Sequence, residues 1–566
     1  MNSLRTIRLH SEPTGSSFAA FFLLAAALFV TAAASAQTVT TLYTYPQDSR
    51  GHTGVLAPGL FSQGRDGNIY GTIVDDGTLA GGEVYRITPT GTLTTLYAFC
   101  AATGCTDGAH PSGGVILGLD GNFYGTTTNG GVNNTGVGTV FKLSPTGTHT
   151  KVYDFTSLTD QGDPAYGLVQ GVDGNFYGLN GGVYSGQYGA AFKLTPKVSP
   201  PWPLKVLGPF AYTNGADPNL FTQGTDGNFY GSTALGGTGH GVVYKMTAAG
   251  KITALHTFSG YPTDGHFPVG QLVQGLDGNF YGVTYQGGAF NQGSIFKITA
   301  AGVFTQIWSF DDTATNVDGN NPFSGLTLGS DGNFYGTTAH GGSKNSGALY
   351  RITPTGKLTI LHSFCAVTGC PTGFYPEVPL RQHTNGKFYG ATSGNSLGGS
   401  YFYSLDVGLG TFIVPMTKSG KAGAIVEILG TGLTGATGVK FGTGAATSFS
   451  VVSDTYMTAV VPSTGTLGVI SVATPSRTLV STYSFKVIPA IKSFTPAAGP
   501  PGSSVVITGA SFLGASKVTI GGVVCTFTLN SDTQITATVA ATAKTGKIAV
   551  TTPGGVATSA ASFTVN

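Results

Sequence analysis

The sequence predicts an all-β chain, a seven-bladed β-propeller followed by two immunoglobulin-like β-sandwiches. Three observations point there. One motif returns seven times at a blade-sized interval, a second pattern returns twice behind it, and the composition suits short strands joined by tight turns. Of 566 residues, 89 are glycine, 40% are hydrophobic and only 9% are charged, the balance of turn-rich β structure and not of helical bundles. The 27 basic and 25 acidic side chains leave a formal charge of +2. No basic run is present to neutralise a phosphate backbone, which excludes nucleic acid as a partner.

Residues 1–36 have the layout of a secretory signal: Arg5 and Arg8, an apolar stretch from Phe18 to Val30, then Ala34-Ser35-Ala36 before Gln37. Phe18 to Ala36 approaches the ~20 residues that span a bilayer, so an uncleaved anchor is the alternative; the small residues at the junction favour cleavage. No later stretch is long and apolar enough to span. The expected mature protein is secreted or periplasmic, with no membrane part.

The propeller is expected over residues 37–409. Its anchors are Asp66-Gly67-Asn68-Ile69-Tyr70-Gly71, five Asp-Gly-Asn-Phe-Tyr-Gly copies starting at Asp120, Asp173, Asp226, Asp277 and Asp331, and Asn385-Gly386-Lys387-Phe388-Tyr389-Gly390, spaced 54, 53, 53, 51, 54 and 54 residues apart. The fifth unit reads as four strands, Val269 to Gly275, Asn279 to Tyr285, Ser294 to Thr299 and Val303 to Trp308. Its Asp-Gly-Asn supplies the positive φ of a tight hairpin. A four-stranded unit of about 50 residues is a blade, because each twisted sheet buries its faces only against its neighbours in a ring; a β-solenoid, with shorter repeats, is the alternative. A fourth-strand pattern at Thr40 to Tyr45 precedes the first anchor, whereas the seventh unit lacks one after Tyr401 to Leu405. The N-terminal strand is therefore expected to complete blade seven and remove an exposed edge.

Behind residue 410 the chain repeats with a period of about 79 residues, from Ser419-Gly420 and Ser484-Phe485 to Ala498-Gly499 and Ser562-Phe563. Two homologous sandwiches, 410–487 and 488–566, fit that length. Cys100 with Cys105, and Cys365 with Cys370, form two similar local pairs, read as small disulfide loops in an oxidising compartment. Zinc is the weaker alternative, since the pairs lie in distant repeats. Cys525 is left over as a small buried hydrophobe.

The seven units, with their downstream Gly-Gly and Phe-Lys-Leu-Thr-Pro-like strands, resemble the GloVer tandem-repeat family of exported bacterial proteins over about residues 38–409. Pro489, Ile491, Phe494, Pro496, Gly499, Gly502, Val505 to Gly509 and Phe512 resemble an IPT/TIG domain, a signature that the first sandwich matches less fully. The resemblance implies an exported protein without a visible C-terminal anchor.

Two sets of long, varied loops, between second and third strands and between blades, emerge on one face, and variable loops on a rigid scaffold are the default binding surface. The candidate ligand-binding residues are Tyr184, Tyr188, His240, Tyr285, Phe290 and His340, with the amides of Asn129, Asn133, Asn134, Asn291, Gln292 and Asn345 beside them. Rings that stack and amides that bond hydroxyls suit a neutral glycan; an extracellular protein is the other expected partner. Polar loops without a small-molecule site are the bland alternative. Asp107, Asp264 and Asp318 recur between blades and raise calcium, but each copy offers one carboxylate in a Gly/Pro turn, so a structural turn is the reading. No metal or cofactor is expected. Beyond residue 36 only Glu83, Glu377 and Glu427 are glutamates. Glu83 and Glu377, in adjoining blades, are the one carboxylate pair conceivable for glycoside cleavage, and no catalytic set stands out. The expected function is that of an exported binding or adhesion protein, its sandwiches acting as spacers, against a structural envelope protein or a carbohydrate-active enzyme.

Overall fold

Each blade is built on the Phe-Tyr-Gly strand of its anchor. In the computed structural model this is the second strand, and the glycine faces an aromatic of the third: Gly71 opposes Tyr85, Gly125 Phe141, Gly178 Phe192, Gly231 Tyr244, Gly282 Phe296, Gly336 Tyr350 and Gly390 Tyr403. A Cβ on Gly231 would lie 2.5 Å from the Tyr244 hydroxyl, so the missing side chain is what admits the ring. The tyrosine before the glycine packs on the next blade; Tyr230 stacks on Phe280 at 3.8 Å and Tyr70 on Phe123 at 3.8 Å.

The structure describes residues 37–45, 61–74, 81–132, 137–156, 164, 166–181, 188–311, 318–367, 369–392, 400–465 and 467–566; the expected signal, 1–36, lies outside them. Seven antiparallel sheets follow one another, six with their strands in chain order. Blade five runs Gly265–Gln274, Phe280–Gly287, Ser294–Ile298 and Phe304–Ser309, within a few residues of the sequence reading. Blade seven takes its fourth strand from the N-terminus: Thr38–Thr44 pairs antiparallel with Tyr401–Asp406. Tyr45 and Phe61 then share one buried cluster with Tyr389 and Phe402, which joins the first blade to the last.

Glutamines in the first strands bridge the blades. Gln170, Gln223, Gln274 and Gln382 each accept, through Oε1, the backbone N–H of the preceding blade at Leu119, Val172, Thr225 and Ser330, at 2.7–3.0 Å. Gln63 does the same to Thr384 of blade seven at 3.0 Å, so the ring closes with the bond used inside it.

The Asp-Gly-Asn turns are self-contained. Asp120 accepts the Asn122 N–H through Oδ1 (3.1 Å), and through Oδ2 the Asn122 amide, the Tyr124 hydroxyl and the Lys142 ammonium at 2.7–2.9 Å. Burial opposes ionisation, but the bonds from Lys142, Tyr124 and Asn122 outweigh it and hold this carboxyl down at about 2. Asp173 and Asp226 repeat the arrangement with Tyr177 and Lys193, and with Tyr230 and Lys245.

Each sandwich has its own core, the first around Ile428, Phe441, Met457 and Phe485, the second around Ile507, Phe512, Ile535 and Phe563. Cys525 is a buried free thiol in the second, and the two expected disulfides, Cys100–Cys105 and Cys365–Cys370, are formed.

Candidate functional site

The propeller presents two faces. The Asp-Gly-Asn turns and the turns between third and fourth strands share one, and the long loops share the other, because adjacent strands alternate in direction.

On the loop face the carboxylates of the repeated Asp-Gly segments between blades bond groups of their own loops and of the strands that lead into them. Asp107 accepts from the Tyr97 hydroxyl (2.7 Å) and the Ala101 N–H (3.1 Å), Asp264 from the N–H groups of Ser259 and Gly260 (2.8 and 3.1 Å) while lying 2.8 Å from His256 Nε2, and Asp318 from Trp308 Nε1 (3.0 Å). They are loop staples. Among the described residues no three His, Cys, Asp or Glu side chains gather as a metal site.

The residue before the proline of each segment behaves differently. His110, Asp217, Phe267, Asn321 and Tyr375 all take a left-handed φ of 50–58°, a conformation side chains avoid. Each is pinned there by donating its N–H to the preceding blade, to the carbonyls of Gly81, Tyr188, His240, Gln292 and Ser346 at 2.8–3.2 Å. The prolines behind them close on glycines of that blade; a Cβ on Gly241 would sit 2.5 Å from Pro268. A fixed backbone therefore displays five different side chains where the innermost strands begin. Sequence reasoning missed this position because the recurrent Gly and Pro around it drew the whole segment into a structural reading; the signal was its variation.

Four of the sequence-predicted rings pair with this inter-blade segment. Tyr188 lies 5.6 Å from Tyr212, His240 4.5 Å from His266, Tyr285 6.0 Å from Phe323 and His340 5.2 Å from Tyr375, all edge-on or tilted. His266 also stacks on Phe267 at 3.8 Å; burial, and then the neighbouring His240, hold His266 below the usual histidine range. Phe290 is exposed, as are Tyr212, Tyr261 and Phe323. Tyr184, Asn133 and Asn134 lie outside the described residues. Two amides need correction. Asn291 and Asn345, both at left-handed φ, turn their Oδ1 atoms back to accept the N–H groups of Gly287 (3.1 Å) and Gly341 (2.8 Å). They brace their own loops and do not offer these oxygens to a ligand. Glu83 is buried and accepts the Thr95 hydroxyl at 3.0 Å.

The turn face is covered. The first sandwich docks on it, with Arg65 Nη2 bonded to Glu427 Oε2 at 2.5 Å, the Arg65 guanidinium 4.8 Å from the Tyr456 ring centre and the Thr455 hydroxyl donating to the Arg65 carbonyl at 2.7 Å. Across the ring, the Tyr483 hydroxyl donates to the Gln274 carbonyl (3.2 Å) and Lys486 Nζ to that of Thr225 (3.1 Å), while the Thr384 and Thr431 hydroxyls lie 2.8 Å apart. This sandwich is a floor to the propeller and not a free spacer. Above it remains a cavity of about 320 Å³, bounded by first strands of the blades and by Lys418 and Tyr483.

The Gloeobacter/Verrucomicrobia repeat family matches residues 26–200 and 166–404, and the IPT/TIG domain residues 489–565. No curated protein matches the chain. Among solved structures, a surface glycan-binding protein from a xyloglucan utilization locus of Bacteroides uniformis is 17% identical over 27% of this chain and 48% of its own, with a TM-score of 0.15. One from Prevotella bryantii is 21% identical over 27% of this chain and 41% of its own, TM-score 0.21. The extracellular domain of a putative hybrid two-component system from B. thetaiotaomicron is 11% identical over 92% and 58%, TM-score 0.44. The chain thus spans about half the length of these proteins. The likenesses stop short of a shared overall fold, and any functional reading rests on the chain's own residues.

Proposed function

We propose that this chain, which belongs to the Gloeobacter/Verrucomicrobia repeat family through residues 26–404, is an exported binding protein that recognises a glycan on the loop face of its propeller. Residues 1–36 serve as the export signal, 37–409 form the propeller, and the sandwiches divide their roles, 410–487 flooring the propeller and 488–566 acting as the spacer. The observation that carries the reading is the set of aromatic pairs at blade boundaries, Tyr188 with Tyr212, His240 with His266, Tyr285 with Phe323 and His340 with Tyr375, next to five side chains held on a left-handed backbone. Backbone held in a sparsely populated region at a variable position is the usual company of a binding site, and partly exposed rings present the flat faces that sugar rings stack on.

The test is glycan-array binding of the purified protein, followed by calorimetric titration of the best ligand, beside a Tyr188→Ala/Tyr285→Ala double variant. Each lost ring is worth about 0.5–1.5 kcal/mol, so affinity is expected to fall about tenfold or more while the melting temperature stays within about 1 °C, as for surface substitutions. No saturable glycan, or an unchanged affinity in the variant, overturns the reading and leaves an extracellular protein as the partner to pursue.

A further inference from the structure

The blade repeat departs from its own rule at one place inside the ring. At the first-strand position opposite the anchor tyrosine, six blades carry Ser62, Ile116, Val169, Thr222, Val273 and Thr327; blade seven carries Arg381. The sandwich repeat departs at the same place in space. Where the second sandwich has Ala497 and Ala561, the docked one has Lys418 and Tyr483. Arg381, Lys418 and Tyr483 all line the cavity of about 320 Å³ between propeller and floor, and no Asp or Glu lines it.

The two cations are not otherwise accounted for. Among the described residues neither forms an ion pair, and Lys418 Nζ meets only the face of Tyr483, 4.1 Å from its ring centre. Surrounding protein pushes both Arg381 and Lys418 below their ordinary values, although Arg381 keeps solvent-accessible surface. Arg381, whose surface remains accessible, thus lines this cavity. A charge taken out of bulk water without a partner costs free energy, so two of them converging on a space without acids is a standing cost that docking does not need: the floor is bonded through Arg65, Tyr483 and Lys486. The hydroxyls around them are spoken for in part, Tyr483 bonding Gln274 and Thr327 bonding the Leu380 carbonyl, and Arg381 and Lys418 are the two cationic side chains among the lining residues.

We propose that the cavity between the propeller and its floor is an oxyanion site, in which Arg381 and Lys418 hold a carboxylate, sulfate or phosphate group of a small molecule. The guanidinium fork takes two oxygens of a planar or tetrahedral anion side by side, Lys418 adds a point charge, and the Tyr483 ring fixes the lysine. The site is assembled only when the sandwich is docked, so propeller and sandwich each contribute one cation to it.

The experiment is calorimetric titration of the full chain at fixed ionic strength in chloride, with sulfate, phosphate, glucuronate and, as the uncharged counterpart of the last, glucose. Saturable binding of at least one oxyanion is expected, with glucose at least tenfold weaker than glucuronate if the anion is a sugar acid; binding of sulfate or phosphate in preference assigns an inorganic or ester oxyanion. Arg381→Gln and Lys418→Met should each weaken the anion at least tenfold. In oxyanion-free buffer both variants should melt no lower than the parent, because each removes a cation without an acidic partner, a result that also shows them folded. The Tyr188→Ala/Tyr285→Ala variant should bind the anion as the parent does, which separates this site from glycan recognition on the loop face. Absence of saturable binding by all three oxyanions, or unchanged affinity in both cation variants, overturns the proposal.

Discussion

Each face of the propeller has a position that changes from blade to blade beside residues that recur. On the turn face it is the residue before the anchor: Arg65, Leu119, Val172, Thr225, Leu276, Ser330 and Thr384. On the loop face it is the residue before the proline: His110, Asp217, Phe267, Asn321 and Tyr375. At two of these positions the variation has a visible cause, since the Arg65 and Thr384 side chains bond the first sandwich, whereas Thr225 meets it through its backbone carbonyl. The lesson is that what repeats is framework and what departs from the repeat marks a contact. The same rule, carried to the loop face, is the reason to look for a ligand there.

The most damaging way to probe the framework half of that rule is Gly231→Ala. The new Cβ falls 2.5 Å from the hydroxyl and 2.6 Å from Cζ of Tyr244, a ring with no exposed surface and so nowhere to move. Overpacking of this kind costs about 3 kcal/mol, to be read as a lowered midpoint in chemical denaturation with glycan binding unaltered below the transition. A substitution tolerated within about 0.5 kcal/mol would mean that the repeated glycine is not a packing requirement.

His149 tests a departure inside a single blade boundary, where its ring stacks on Tyr97 at 4.2 Å. It opens the fourth strand of blade two, where five other blades have Leu93, Leu204, Ile252, Phe304 and Leu358, and burial pushes it down to about 4 from 6.5. The unfolded chain therefore binds a proton as pH falls through 6.5 while the folded chain does not until about 4. The associated stability is complete above pH 6.5 and drains away between 6.5 and 4. At about 1.4 kcal/mol per pH decade, discounted for partial exposure, this amounts to about 2 kcal/mol. His149→Leu should flatten that limb of a stability-against-pH curve. The anchor carboxylates add a second limb lower down, because Asp120, held at about 2, loses its stabilising charge only as pH falls below the ordinary carboxylate range. An unchanged slope in His149→Leu would show the histidine to be incidental.

The framework was legible in the sequence because it is written seven times. Phe-Tyr-Gly spacing located every second strand, the early Thr40 to Tyr45 pattern located the closure now seen against Tyr401–Asp406, and the two Cys-x4-Cys pairs located the disulfides. Contacts were not legible, because each is made once. Nothing in the spacing of Arg65 and Glu427, 362 residues apart, marks them as partners, and Tyr483 reads as an ordinary strand residue until the floor is docked. The rings at 188, 240, 285 and 340 were singled out from loop length and residue type, yet the rings they pair with, Tyr212, His266, Phe323 and Tyr375, were not, since pairing joins different blades. Asn291 and Asn345 misled for the opposite reason: an asparagine that braces its own loop has the same sequence signature as one that faces a ligand.

The smallest effect expected is also the one that sharpens the comparison most. Arg65→Leu installs the residue that blade two carries as Leu119, removing the 2.5 Å ion pair to Glu427 and the contact with the Tyr456 ring but leaving the backbone bond from Thr455 to the carbonyl of residue 65 intact. Both charged groups retain some exposure, so the pair is worth about 1 kcal/mol and not the several of a fully buried one. A double-mutant cycle with Glu427→Gln should return a coupling energy of about 1 kcal/mol, read from the calorimetric transition of the sandwich. The cycle repeated between Arg65 and loop-face Tyr285 should return zero, since the two lie on opposite faces. Coupling to Glu427 that vanished would mean that variation on the turn face does not report docking, and the argument from variation to ligand on the loop face would lose its calibration with it.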